Sequence, residues 1–113
     1  MTLNEYQKAA SRTSGHLTAH GHIENGVMGL CGESGECIDI VKKATFQGHP
    51  VDREKLIDEL SDVLWYAAEL ATGLEVDLDD VAQHNIDKLT ARYPDGFSSE
   101  KSIYRKEYKN DGR

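Results

Sequence analysis

Two short acidic pairs, each embedded in a stretch with helical periodicity, constrain the fold of this chain most. Glu33 and Glu36 form the first pair, and Glu59 and Asp62 form the second. Residues three positions apart share one face of a helix, so each pair points two carboxylates the same way. Like charges repel, and a position beside a packed core adds a desolvation cost. A hard divalent cation such as Mg²⁺ or Mn²⁺, which prefers oxygen ligands, would offset both costs.

Apolar residues recur with a helical period along most of the chain, whereas strand signals are almost absent. Thr2 and Glu5 have the spacing of a capping box, which predicts a helix that begins at residue 3. Asp52 and Asp77 can cap two later helices, and Gly73 suits the end of the first of these. The sequence therefore predicts an all-α fold, a compact bundle of about four main helices over residues 3–11, 22–45, 53–73 and 78–92.

Two apolar stripes are predicted to face the core, one on the second helix and one on the third. Their members are Val27, Leu30, Cys31, Ile38 and Val41, and Leu56, Leu60, Val63, Leu64, Ala67 and Ala71. Three glycines, Gly29, Gly32 and Gly35, lie within the second helix at intervals of three. Each costs a helix roughly 1 kcal/mol relative to alanine, so the cluster predicts close approach of a neighbouring helix or a ligand.

Composition and charge exclude several classes of protein. The 113 residues fit one domain, predicted over residues 1–97 and followed by a polar tail over 98–113. With a formal net charge of −7, the chain lacks the basic face that binding to a nucleic-acid polymer requires. No apolar run approaches the roughly 20 residues that span a bilayer, and the N-terminal stretch lacks the apolar core of a signal peptide. We therefore expect a cytoplasmic protein that binds neither a nucleic-acid polymer nor a membrane.

The two acidic pairs lie on matching edges of their helices. A helix turns about 100° per residue, which places Glu59 and Asp62 roughly 90–150° from the centre of their apolar stripe. Glu33 and Glu36 occupy the corresponding flank of the second helix. Packed antiparallel, the two edges could meet over one cation. A solvated acidic face is the alternative, and a di-iron site is a weaker one because neither pair has the histidine that Glu-x-x-His requires.

Four segments resemble the MazG-like all-α nucleotide pyrophosphohydrolases, and the likeness extends from Tyr6 to about Ile103. The segments are Gly-Leu-Cys-Gly-Glu-Ser-Gly-Glu at 29–36, Glu-Leu-Ser-Asp-Val-Leu-Trp-Tyr at 59–66, Asn-Ile-Asp-Lys-Leu at 85–89 and Arg-Tyr-Pro-Asp-Gly-Phe at 92–97. The resemblance implies Mg²⁺-dependent cleavage of a nucleoside triphosphate between its α and β phosphates, to a nucleoside monophosphate and pyrophosphate. It also implies a homodimer or homotetramer in which helices pack across subunits.

The resemblance assigns roles to residues by position. The implied metal ligands are Glu33, Glu36, Glu59 and Asp62, of which Glu33 is further expected to orient or deprotonate the attacking water. The residues that it implies for substrate binding are Tyr66, Asn85, Lys88, Arg92 and Tyr93. Apart from the resemblance, Lys42 and Lys43 lie at the end of the glutamate-bearing helix, where either could neutralise a phosphate, and Lys43 is the one predicted to do so.

One departure from the pattern concerns the number of metal ions. Many relatives have Glu-Glu-x-x-Glu, whereas this chain has Gly32 at the first position. One carboxylate fewer predicts fewer bound metals, or a second metal that binds only together with the substrate phosphates. Two non-enzymatic functions stay open at this point: a nucleotide-binding or regulatory module, and a structural helical oligomerisation domain.

His16, His20, His22 and Trp65 have weaker claims to function. The three histidines fit a polar loop over the first connection better than a substrate gate, and a zinc site lacks a fourth ligand. Trp65 is expected to pack in the interior or at a subunit interface, with stacking on a nucleotide base as the alternative.

Overall fold

The fold was obtained as a computed structural model that describes residues 1–105. These residues form five α-helices and no strand, which confirms the all-α prediction. The helices are α1 (Leu3–Ser11), α2 (Ala19–Phe46), α3 (Arg53–Gly73), α4 (Leu78–Arg92) and α5 (Ser99–Ile103). The first four lie within three residues of their predicted bounds, whereas the short α5 was not predicted. No helix within this range has the length and apolar character needed to cross a membrane.

The beginnings of the helices follow from local capping chemistry. The Thr2 hydroxyl accepts a hydrogen bond from the Glu5 amide, and the Glu5 carboxylate accepts one from the Thr2 amide, both at 3.0 Å. Asp52 caps α3 as predicted, because its carboxylate accepts from the Lys55 amide at 3.1 Å. Thr18 caps α2, which explains why that helix begins three residues before the predicted start.

The chain divides into two compact units, Met1–Leu78 and the remainder from Asp79. In the first unit a small core of Ala68, Ala71 and Leu78 packs against α1. Gln7 of α1 reinforces that contact: its amide nitrogen donates to the Val76 carbonyl at 3.0 Å, and its amide oxygen accepts from the Leu78 amide at 2.7 Å. This glutamine therefore holds α1 against the end of α3.

Glycines allow α2 and α3 to approach each other closely. A Cβ atom on Gly26 would lie 2.8 Å from the Leu70 backbone, and one on Gly73 would lie 2.7 Å from the Ile23 nitrogen. Gly29 lies directly against the Tyr66 ring, so the predicted close approach is confirmed there. Real side chains do not tolerate such distances, so the two backbones pack as they do because these positions lack a Cβ.

Gly32 and Gly35 are different, because no described atom lies within 4 Å of a Cβ built at either position. A neighbouring helix of the same chain therefore does not explain these two glycines. Their faces of α2 are open within residues 1–105.

The predicted core stripes are wrong in part. On α2, Val27, Ile38 and Val41 are 51%, 66% and 48% exposed, and on α3 Leu60 is 62% exposed. Ile40 is buried instead, on the face that also bears Gly26. Because bulky residues keep backbones apart, the glycine-bearing face of α2 takes the close contact with α3, and residues 1–105 leave much of the apolar stripe uncovered.

A buried carboxylate joins α2 to α3. Glu69 is 4% exposed, and its two oxygens lie 2.7 Å from His22 Nδ1 and from Asn25 Nδ2. A buried charge is tolerated when its oxygens are hydrogen-bonded, as both are here. His22 of α2 is therefore a structural partner of Glu69, which lies in α3. His20, also in α2, is exposed, and its Nε2 atom lies 3.1 Å from a carboxylate oxygen of Glu24.

α3 ends at Gly73 as predicted, although the left-handed residue of the cap is a different one. Gly73 is the last helical residue and packs against α2, while the left-handed conformation falls two residues later, at Glu75 with φ of 59°. The amides of Glu75 and Val76 donate to the carbonyls of Thr72 and Ala71, which is the Schellman arrangement.

Glu75→Gly is expected to stabilise the protein by about 1 kcal/mol, because glycine adopts positive φ without a Cβ clash. Glu75→Ala is the matched control and should change little, since alanine keeps the Cβ that causes the strain. Thermal unfolding of the three proteins at one concentration measures the difference. Equal melting temperatures for the glycine and alanine variants would contradict this expectation.

Candidate functional site

Three of the four predicted ligand carboxylates converge between α2 and α3. Glu33 comes from α2, whereas Glu59 and Asp62 come from successive turns of α3, and each contributes an oxygen within 4.8 Å of the other two. The antiparallel packing explains this meeting. Gly26 lies against Leu70, so two turns further along α2 the chain reaches the earlier turns of α3 that carry the second pair.

The electrostatics of this cluster are unfavourable without a cation. The pKa of the Glu33 carboxyl is raised above its ordinary value, first by a hydrogen bond from the protonated acid to Glu59 and then by partial burial. The negative charges of Asp62, Glu59 and Glu36 raise this pKa further. A set of hard oxygen donors that repel one another fits Mg²⁺ or Mn²⁺, which would stabilise the charged forms of all three acids.

Glu33→Gln is expected to stabilise the metal-free protein near neutral pH. A carboxyl whose pKa is higher in the folded than in the unfolded state contributes stability below the unfolded pKa, and this contribution is lost as the pH rises through the folded pKa. In EDTA, the variant should therefore melt above the wild type at pH 7, and the gap should close as the pH falls towards the ordinary pKa of glutamate.

Glu54→Gln removes an exposed acid of α3 and serves as the control, since no described interaction links Glu54 to the cluster. Melting curves between about pH 4 and pH 8 test the prediction. A gap between Glu33→Gln and wild type that stays constant over this range would contradict it.

A recess of about 290 Å³ adjoins the carboxylates and is lined by Glu33, Asp62, Trp65 and Tyr66. The Tyr66 ring occupies the space that Gly29 leaves open on α2. The Trp65 and Tyr66 rings meet edge to face, with centroids 5.0 Å apart and an interplanar angle of 84°. Two aromatic side chains therefore stand beside two of the converging acids.

Glu36 and Lys43 lie outside the cluster formed by Glu33, Glu59 and Asp62. Glu36 is exposed, and its carboxylate is not one of the three that converge, although its charge acts on Glu33. Lys43 forms an ion pair with Asp39 at 2.9 Å, one turn earlier on α2. The hydrogen bond from Lys43 is the largest cause that lowers the pKa of Asp39 below its usual range, so the two charges offset each other.

The four remaining predicted residues lie in the second unit. Asn85, Lys88 and Arg92 follow one another at helical spacing along one edge of α4, and Asn85 and Lys88 are exposed. The guanidinium carbon of Arg92 lies 5.8 Å from the centre of the Tyr93 ring, which in turn packs 5.4 Å from the Phe97 ring. An edge with two cations and an amide can bind phosphate oxygens.

The sequence placed Trp65 near the back of α3, as a packing or interface residue, and did not identify Thr13. The indole nitrogen of Trp65 donates to the Thr13 hydroxyl at 2.9 Å, which ties the connection after α1 to the wall of the recess. Its spacing, three residues after Asp62, is the signal that could have placed Trp65 on the same side of α3 as that acid. No local signal linked Thr13, 52 positions earlier in the chain, to this region.

The part of the chain that contains the carboxylate cluster and α4 is similar in sequence to known proteins. The family profile of the MazG nucleotide pyrophosphohydrolase domain matches residues 22–97. A curated relative, the "Gene 37 protein" of Mycobacterium phage L5, is 39% identical over 101 residues, which cover 81% of this chain and 89% of the phage protein. That name states no activity. No solved structure gives a significant match.

Proposed function

We propose, starting from the fact that this chain belongs to the MazG nucleotide pyrophosphohydrolase family, that it hydrolyses a nucleoside triphosphate between the α and β phosphates. The products are a nucleoside monophosphate and pyrophosphate, and the role is removal of unwanted nucleotides from the pool. The convergence of Glu33, Glu59 and Asp62 beside an aromatic recess carries the proposal, because phosphate chemistry needs concentrated positive charge next to a surface that accepts a nucleoside.

The proposal includes Mg²⁺ as the cofactor, with Mn²⁺ as a substitute. Glu33, Glu59 and Asp62 would hold the ion, and Glu36 would join them through its exposed carboxylate. When bound, the cation offsets the negative charge of the phosphate oxygens during hydrolysis. With Gly32 in place of a further acid, a second ion is expected only together with substrate phosphates.

The chain's own residues would then act on water and phosphate. Glu33, whose pKa is raised by its neighbours, suits a group that orients or deprotonates the attacking water. Lys88 and Arg92 of α4 would neutralise phosphate oxygens, and Asn85 would donate hydrogen bonds to them. Tyr66 and Tyr93 would contact the nucleoside. Lys43 would contribute only after it exchanges Asp39 for a phosphate, which makes it the weakest member of the set.

A homodimer or homotetramer is part of the proposal. Val27, Ile38 and Val41 of α2 are exposed, and Ile57, Leu60 and Leu64 form an exposed row on α3. The two rows leave apolar side chains of α2 and α3 uncovered within the described residues. Apolar rows of this extent are typical of an interface, and the mass in solution by light scattering tests it.

A panel of canonical and modified nucleoside triphosphates with Mg²⁺ tests the activity. Phosphate should appear only when inorganic pyrophosphatase is added, because the direct product is pyrophosphate, and EDTA should abolish the signal. If every triphosphate in the panel, including dUTP and dCTP, stays intact, the proposal fails.

A non-catalytic nucleotide-binding module is the second candidate, favoured by the departure at Gly32 and by the position of Glu36 outside the converging set. It predicts nucleotide binding without turnover, and the same affinity after Glu36→Gln. Calorimetric titration of wild type and variant with one nucleotide separates the two candidates.

A further inference from the structure

We propose that Trp65 is the platform on which the base of the bound nucleotide stacks, an inference that rests on the function proposed above. Trp65 lines the same recess as Glu33 and Asp62, so an aromatic side chain and two acids of the converging set border one space of about 290 Å³. Bases stack on aromatic side chains regardless of sequence because every base has a π-face.

The surroundings of Trp65 fix the orientation of its indole. The N–H group donates to Thr13, and the ring packs edge to face with the ring of Tyr66. The side chain also borders a narrow gap against α1, beside Ala10 and Ala68. The indole thus stands between packed protein and the recess, and an aromatic ring held in place loses little entropy when a ligand stacks on it.

The order of the chemical groups fits the proposed cleavage. Triphosphate oxygens require cations and therefore belong at the carboxylates, whereas a neutral planar base gains most from the indole. Trp65 follows Asp62 by one helical turn, a rise of about 4.5 Å along α3. The α phosphate is the one bonded to the nucleoside. An aromatic platform one turn from Asp62 would therefore hold this phosphate nearest the carboxylates, with the β and γ phosphates further from Trp65.

Two substitutions separate stacking from simple packing. Trp65→Leu keeps an apolar side chain but has no π-face, and Trp65→Phe keeps the π-face but loses the bond to Thr13. For the best triphosphate substrate, Trp65→Leu should raise KM about 5- to 100-fold with kcat little changed, since stacking acts equally on ground state and transition state. Trp65→Phe should raise KM less than Trp65→Leu does. The affinity for Mg²⁺-tripolyphosphate, which has no base, should be the same in both variants and wild type.

The wild-type protein offers a second measurement that needs no variant to fold. Trp65 is the single tryptophan of the chain, so its emission reports on this position alone. Titration with the α,β-methylene analogue of the best substrate and Mg²⁺ should quench the emission, whereas Mg²⁺-tripolyphosphate should leave it nearly unchanged.

Equal quenching by the two ligands, or no quenching by the nucleotide analogue, would overturn the stacking proposal. So would equal KM increases for Trp65→Leu and Trp65→Phe, or weaker tripolyphosphate binding in Trp65→Leu. Failure of the proposed function looks different: wild type would then hydrolyse no triphosphate in the panel. In that case the emission titration, with the analogues of dUTP and dCTP, still decides whether a base stacks on Trp65.

Discussion

Asp62→Asn is expected to lower kcat/KM for triphosphate hydrolysis by about three orders of magnitude and to abolish measurable Mg²⁺ binding. Asp62 is the most exposed member of the converging set and borders the recess, so its carboxylate would hold a cation beside a substrate bound there. A metal ion stabilises the transition state of such reactions by several kcal/mol, and this stabilisation is lost with the ion. Initial rates and calorimetric Mg²⁺ titration measure the two effects.

The control is Glu54→Gln, which neutralises an exposed acid on the same helix and should retain the wild-type rate.

The loss of activity expected for Asp62→Asn is not caused by unfolding. Without metal, Asp62→Asn relieves repulsion from Glu33 and Glu59, so this variant should melt at or above the wild-type temperature in EDTA. Retention of most activity by Asp62→Asn would exclude Asp62 from the metal site.

Gly26→Ala is expected to reduce the free energy of unfolding by up to about 2 kcal/mol. The added Cβ would lie 2.8 Å from the backbone of Leu70, and a backbone cannot move aside as the end of a flexible side chain can. Overpacking of this kind costs about 1–3 kcal/mol, which exceeds the gain of roughly 1 kcal/mol in helix propensity. Because α2 also carries Glu33, a forced separation of the helices should weaken Mg²⁺ binding as well.

Gly35→Ala is the matched control on the same helix, and the opposite sign is expected. No described atom lies within 4 Å of its Cβ position, so only the propensity gain of about 1 kcal/mol remains. Urea or thermal unfolding at one protein concentration compares the variants. Stabilisation by both substitutions would contradict the close packing of α2 and α3 at Gly26.

Features determined by nearby residues could be predicted from the sequence. Thr2 and Asp52 cap their helices as expected, because a cap depends on three or four consecutive residues. The convergence of Glu33 with Glu59 and Asp62 was predicted from helical periodicity alone, and the structure brings these three together. Their roles as ligands stay predictions.

Features that depend on which helix faces which were harder to predict. Val27 and Ile38 have the spacing of a core stripe, yet they are exposed because a hydrophobic pattern identifies a face without identifying its partner. Glycine at position 26 decides the contact by lacking a side chain, and an absent side chain leaves no hydrophobic signal. The hydrogen bond from Trp65 to Thr13 joins residues 52 positions apart, beyond any local pattern.

The products of hydrolysis give the most direct test of the proposed activity. A ³¹P NMR time course of the best triphosphate with Mg²⁺ and wild-type protein should show a nucleoside monophosphate and pyrophosphate appearing in equal amounts, as cleavage between the α and β phosphates requires. The signals should be absent with Asp62→Asn. Appearance of a nucleoside diphosphate and inorganic phosphate, or no change in any triphosphate, would contradict the proposed cleavage between the α and β phosphates.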